Sequence, residues 1–163
     1  MAVAFTYETI INPQTTVSVA YKIDSSGKIF VNAEYKGKKG LPELPVFGMR
    51  FVMPTKARGY CYEGLSGETY PDRKAGGEKG VFHVEGLPVT PYLVPQDCGM
   101  HMDTKWVEVT RDMVLNNADR RREDFSLKFY AEGEGFAFSC LPYTAQELEN
   151  AFHQEELPPA RRT

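Results

Sequence analysis

Two stretches concentrate side chains that could meet a ligand. Residues 62–73 read Tyr-Glu-Gly-Leu-Ser-Gly-Glu-Thr-Tyr-Pro-Asp-Arg, and residues 91–99 read Pro-Tyr-Leu-Val-Pro-Gln-Asp-Cys-Gly. Both set aromatic rings beside carboxylate, amide or guanidinium groups, among turn-forming glycines and prolines. A ring face accepts the C–H edges of a sugar and planar polar groups order its hydroxyls. Glu68, Tyr70, Asp72, Arg73, Tyr92, Gln96 and Asp97 are therefore the candidate carbohydrate-binding residues. The same groups suit a structural role, because Asp72 beside Arg73 can pin a long loop through charge-assisted hydrogen bonds. Composition leaves both readings open.

Other chemistries lack their residues. Zinc needs three or four Cys, His or carboxylate ligands on rigid elements. His83, His101 and His153 are far apart, and Cys98-x-x-His101-x-Asp103 has no second cluster to complete a tetrahedron, so an ordinary polar loop is the plainer reading. No Gly-x-Ser-x-Gly elbow is present, and the serines and cysteines have no recognisable base nearby. The glycines at 64, 67, 76, 77 and 80 match neither a dinucleotide loop nor a P-loop. Cys61, Cys98 and Cys140 are odd in number and scattered, which predicts free thiols. Cys61 and Cys140 sit in strand-like patterns, leaving Cys98, in a loop, as the reactive one.

These residues need a scaffold, and 163 residues suffice for one domain spanning 1–163. A hydrophobic share of 42% and a charged share of 25% are ordinary for a globular protein and exclude a disordered one. With 19 basic and 22 acidic residues the net charge is -3, so no positive excess favours nucleic acid. No apolar run reaches the roughly 18 residues that would cross a membrane, and the first residues lack a secretory signal, so a soluble chain is expected.

The clearest periodicity is early. Val17, Val19, Tyr21 and Ile23 alternate with polar neighbours, as do Ile29, Val31, Ala33 and Tyr35, and Asp24-Ser-Ser-Gly27 lies between. This predicts a β-hairpin with one core-facing side. Residues 37–45, with two glycines and two prolines, predict a loop. Further strands are predicted at 46–53, 58–63, 80–85, 104–110, 124–130 and 135–141, with Trp106 a half-buried strand residue. Short strands at this spacing predict an all-β antiparallel sandwich. One short helix is expected near the C-terminus: Thr144-Ala-Gln-Glu147 has capping-box spacing, and Leu148, Ala151 and Phe152 would share its packing face.

The two ligand-like stretches also carry a resemblance. Gly64-Leu-Ser-Gly-Glu-Thr-Tyr-Pro-Asp-Arg73 is similar to the G-x-G-P-x-E-x-Y-x-D-R segment of family 2 β-galactosidases, and Pro91-Tyr-Leu-Val-Pro-Gln-Asp-Cys-Gly99 resembles their P-Y-x-x-P-Q-E-x-G. Phe136-Ala-Phe-Ser-Cys-Leu-Pro-Tyr143, with Glu147, Leu148, Ala151 and His153, resembles a third family segment, and the hairpin at Tyr21–Gly27 fits as well. The matches keep the family's order over roughly residues 15–157. They lie in its C-terminal domain, which some bacteria make as a separate small subunit.

The resemblance implies a β-sandwich of the galactose-mutarotase-like, or supersandwich, type, of which this chain is a fragment. It also implies that the two carboxylates of retaining hydrolysis reside on a (β/α)8 barrel domain, which typically takes about 250 residues. The chain is then expected to have no catalytic residue and no cofactor of its own, with Mg or Na, where the parent enzyme uses them, on other domains. Its implied partners are the barrel of the same enzyme or a large subunit, an oligomeric parent and a galactoside substrate. The compartment would be the bacterial cytoplasm or periplasm. Some members place a sugar-stacking tryptophan before the third segment, where this chain has Tyr130-Ala-Glu-Gly-Glu-Gly135. Two alternatives stand beside the accessory role. One is a free-standing carbohydrate-binding or aldose-epimerase-like protein, and the other is a purely structural interface domain.

Overall fold

The computed structural model describes residues 1–90, 98–114 and 123–159. The chain forms two compact units, 1–51 and 52–163. In the first, β1 (Ala2–Glu8), β2 (Thr16–Ile23) and β3 (Ile29–Lys36) make an antiparallel sheet in the order β1-β2-β3. The register aligns Val3, Tyr21 and Val31, then Phe5, Val19 and Ala33, then Tyr7, Val17 and Tyr35, so one face is apolar and the other polar. The predicted hairpin is β2–β3. Its turn is held by Asp24, whose Oδ1 accepts from Ser26 N at 2.8 Å, Ser26 Oγ at 2.7 Å and Lys28 N at 3.1 Å, with Gly27 at φ 84°. The sequence reading assigns no strand to β1, although Val3, Phe5 and Tyr7 alternate there. Residues 46–53, predicted as a strand, form none. They are bracketed by Pro45 and Pro54, which donate no ladder hydrogen bond.

The second unit is built on β4 (Gly59–Leu65), β5 (Lys79–Glu85), β7 (Trp106–Arg111) and β8 (Phe125–Tyr130), ordered β5-β4-β7-β8. A two-stranded ribbon of β6 (His101–Thr104) and β9 (Phe136–Phe138) covers one face, making a small antiparallel sandwich. Cross-strand rows fill the space between them. Phe82, Tyr62, Val107 and Phe129 form one row, and Val84, Tyr60, Val109 and Leu127 the next. Phe138 of the ribbon presents its ring edge-on, 5.7 Å from Tyr60 and 5.4 Å from Tyr62. Tyr62, at 1% exposure, is the most enclosed large side chain, and its O–H donates to Leu65 O at 3.0 Å. Gly64 lets the ribbon come close, since a Cβ there would stand 3.0 Å from Thr104 Oγ1. The predicted strand 104–110 divides at Lys105, and the one at 135–141 shortens to three residues.

The helix α1 (Ala145–Glu149) starts as the capping box predicts. Glu147 N donates to Thr144 Oγ1 at 3.2 Å, and Thr144 N to Glu147 Oε2 at 2.7 Å. Leu148 and Ala151 are buried beside Cys98, but Phe152 is 76% exposed. The helix is capped at Asn150, so position 152 no longer shares its face and the predicted three-residue stripe is cut to two. A one-turn 3-10 helix follows at Gln154–Glu156. All three cysteines are free thiols, yet Cys98, expected to be the reactive one, is 2% exposed in this cluster. Apolar packing by Val89, Leu141 and Leu148 closes off a residue that its loop position alone suggested was open.

Candidate functional site

The first ligand-like stretch ends β4 and forms the loop back to β5. Ser66 closes its base: Ser66 N donates to Glu78 O at 2.9 Å, and Glu78 N to Ser66 Oγ at 3.0 Å. Gly67 then takes φ 65°, a left-handed conformation that costs a glycine little. Thr69, buried, behaves as a one-residue strand against the approach to β6. Its N–H donates to Met100 O at 2.8 Å, and its Oγ1 accepts from Met102 N at 2.8 Å.

The structure brings Glu68, Tyr70, Asp72 and Arg73 together and divides them by depth. Tyr70 is buried, its O–H donating to Glu68 Oε2 at 3.1 Å. Burial, then the Glu68 charge and its hydrogen bond, push the phenol up to about 12. The Arg73 guanidinium lies 5.1 Å from the centre of the Tyr70 ring, and Arg73 N donates to Tyr70 O at 3.0 Å, which folds the turn back on itself. The Tyr70 ring is thus an anchor inside the loop. Asp72 and Arg73, 3.8 Å apart as an ion pair, point their side chains toward solvent. Of the second stretch, Tyr92, Gln96 and Asp97 lie outside the described residues.

The residue that composition undervalued is His101. It is 5% exposed on β6, its ring stacked 4.9 Å from Phe138 at 24°. Nδ1 faces Gly67 O at 2.8 Å, and Nε2 faces Tyr60 Oη at 3.0 Å. A carbonyl can only accept, so Nδ1 carries the proton and donates to Gly67. Nε2 then accepts from the Tyr60 hydroxyl. Burial lowers the His101 pKa from its ordinary 6.5, against the opposing pull of the Gly67 carbonyl and the Glu68 charge. Burial also raises the Tyr60 phenol. No sequence signal short of a contact map ties His101 to positions 34 and 41 residues away.

These bonds also settle the group at Cys98, His101 and Asp103. Both ring nitrogens of His101 are engaged, Cys98 lies in an apolar cluster, and Asp103, at φ 53°, pairs with Lys74 at 3.5 Å. Among the described residues no three His, Cys, Asp or Glu side chains come together as metal ligands. On the opposite face of the sheet, Trp106 is a half-buried strand residue as predicted. Its Nε1 donates to Glu63 Oε2 at 2.7 Å, and Lys128 Nζ sits 3.8 Å from the centre of the indole. Among the described residues no helix is long and apolar enough to cross a membrane.

The family described as beta galactosidase small chain matches residues 1–163. The β-galactosidase small subunit of Latilactobacillus sakei is 60% identical over 163 residues, covering all of this chain and 51% of that protein. The β-galactosidase BgaC of Bifidobacterium adolescentis is 36% identical over 161 residues, covering 96% of this chain and 14% of the relative. A Streptococcus thermophilus β-galactosidase is 36% identical over 143 residues, covering 86% of this chain and 13% of its own length. The chain thus spans about half of the small-subunit relative and a far smaller share of the longer enzymes. No solved structure is matched. With one family covering every residue and a small subunit alike at three positions in five, the chain belongs to the β-galactosidase small-chain family.

Proposed function

We propose that this chain is the accessory, non-catalytic part of a bacterial β-galactosidase that hydrolyses terminal β-D-galactosides. The observation that carries this is the match to a small subunit along the whole chain, where two longer relatives cover 96% and 86% of the chain with only 14% and 13% of their own length. Retaining hydrolysis requires two carboxyl groups about 5 Å apart across the sugar. The parent's barrel domain or large subunit supplies them, and any Mg or Na sits on other domains. This chain packs beside the barrel as part of a galactose-mutarotase-like sandwich, helps wall the substrate cleft and joins in subunit assembly, in the cytoplasm or periplasm.

Within that role the loop residues separate into two kinds. Glu68 and Tyr70 fix the loop from inside, and Asp72 and Arg73 present the polar edge to the cleft. A wall of this kind aids catalysis by holding substrate in place. The test is reconstitution: a catalytic subunit is assayed on a chromogenic galactoside with and without this chain. Activity that depends on adding the chain supports the role, and equal activity without it refutes the role.

A further inference from the structure

We infer that the apolar face of the β1-β2-β3 sheet is a docking surface for a second β-layer, supplied by the part of a small subunit that lies outside the residues matched here. The inference rests on the reading that the chain is one part of a small subunit, and it goes further by naming the face and what covers it. Of residues 1–51, all of them described, Thr15 alone is buried. Among the described residues, every apolar side chain of the buried core lies between Ala57 and Ala151. The two faces of the first sheet nevertheless differ sharply. One carries Val3, Phe5, Tyr7 and the apolar residues paired with them, and the other carries Glu8, Lys22 and Glu34. Such alternation marks a sheet with one face set against a core, yet Val3, Phe5, Tyr7 and Val31 are 42–54% exposed. Phe47, its ring 6.1 Å from that of Tyr35, continues the apolar strip past β3. A contiguous apolar patch of this kind marks an interaction surface.

The size of the face selects what covers it. With strands about 4.8 Å apart and a rise of about 3.4 Å per residue, its outline is roughly 350 Å². Doubled for the relief of the side chains, it reaches about 700 Å², short of the roughly 800 Å² that each partner of a standard interface between free chains buries. A second copy of the chain is therefore a poor fit. A layer continuous with the same polypeptide carries no cost for lost translational freedom, and face-to-face sheet packing suits it. Among the described residues, the sheet of the second unit offers no further apolar face. The β6–β9 ribbon covers one side of it, and the other bears Glu63, His83, Glu108 and Lys128. The small-subunit relative carries the extra chain: the 163 matched residues are 51% of its length, leaving nearly as much again.

Hydroxyl-radical footprinting with mass spectrometry tests this on two proteins: this chain alone, and the intact Latilactobacillus sakei small subunit with its matched residues replaced by this chain. In the lone chain Phe5 and Tyr7 should label readily at every concentration. In the hybrid they should label about tenfold more slowly, while Phe30, on the polar face, keeps its rate. Phe5→Lys should lower the melting temperature of the hybrid by several degrees more than that of the lone chain, and Thr6→Lys should change neither. If the hybrid fails to fold, hydrogen exchange of the unaltered subunit decides: its segment matching residues 1–36 should exchange about tenfold more slowly than those residues do in the lone chain. Four results overturn the inference: Phe5 and Tyr7 already shielded in the lone monomer, shielding that grows with the concentration of the lone chain, shielding that appears only on adding the catalytic subunit, or Phe30 slowed as much as Phe5. A hybrid with a shielded face that leaves the activity of the catalytic subunit unchanged refutes the accessory role alone, because the footprint still decides what covers the sheet.

Discussion

Thr69 and Met102 are joined by a side-chain hydroxyl standing in for a strand carbonyl, with Oγ1 of the buried Thr69 accepting from Met102 N at 2.8 Å. Together with the bond from His101 Nδ1 to Gly67 O, this bond ties the ligand-like loop to the ribbon.

Thr69→Val keeps the shape and deletes the acceptor, leaving the part-buried Met102 N–H without this bond. The expected cost is about 1–3 kcal/mol in urea unfolding, with Thr69→Ser close to wild type. Equal stability of the Val variant would show that the Met102 amide finds another acceptor.

Close approach limits Gly59 in the same way. A Cβ there would collide with the Val84 carbonyl of β5, whereas one at Gly76 meets nothing within 4 Å. Gly59→Ala should destabilise by about 1–3 kcal/mol, and Gly76→Ala should be neutral or slightly stabilising. Thermal melts of the two variants side by side give the comparison.

Thiol reactivity should invert the order that loop position suggests. Burial pushes the Cys140 thiol up to about 11, and Cys98 is enclosed by Val89, Leu141 and Leu148. Cys61 also has a raised pKa, chiefly from burial, but it stands at the outer face of β4 opposite His83. Alkylation at pH 8 followed by mass spectrometry should label Cys61 first, with Cys98 and Cys140 modified only on unfolding. Early labelling of Cys98 would contradict the packing described.

The His101 shift fixes the sign of one pH dependence. Its folded pKa lies below the ordinary 6.5, so under acid the unfolded chain binds the proton more readily. This contribution to stability is complete above 6.5, is lost as pH falls from there, and levels off once the folded ring itself protonates. Urea midpoints of wild type and His101→Gln should therefore converge or cross below pH 6.5, and parallel curves would place the titrating group elsewhere.

Much of this was legible in advance because the signals were local. The β2–β3 hairpin follows from strict alternation around Asp24–Gly27, and the start of α1 from the Thr144–Glu147 pair. Strands β4, β5 and β8 lie where β-branched and aromatic residues predicted them. The failures are non-local. Residues 46–53 have strand composition but form no strand, and Phe152 depends on where α1 stops. The loop hid Cys98 and Tyr70 inside packing that spacing does not reveal. His101 was weighed as a metal ligand because sequence distance counts donors and does not say that its two nitrogens already face Gly67 and Tyr60.

The most direct test of the accessory role is turnover of a nitrophenyl galactoside by the purified chain by itself. The account predicts none above the buffer rate, and turnover on mixing with a catalytic subunit. Hydrolysis by the lone chain that disappears when Glu68 or Asp72 is changed to alanine would contradict it.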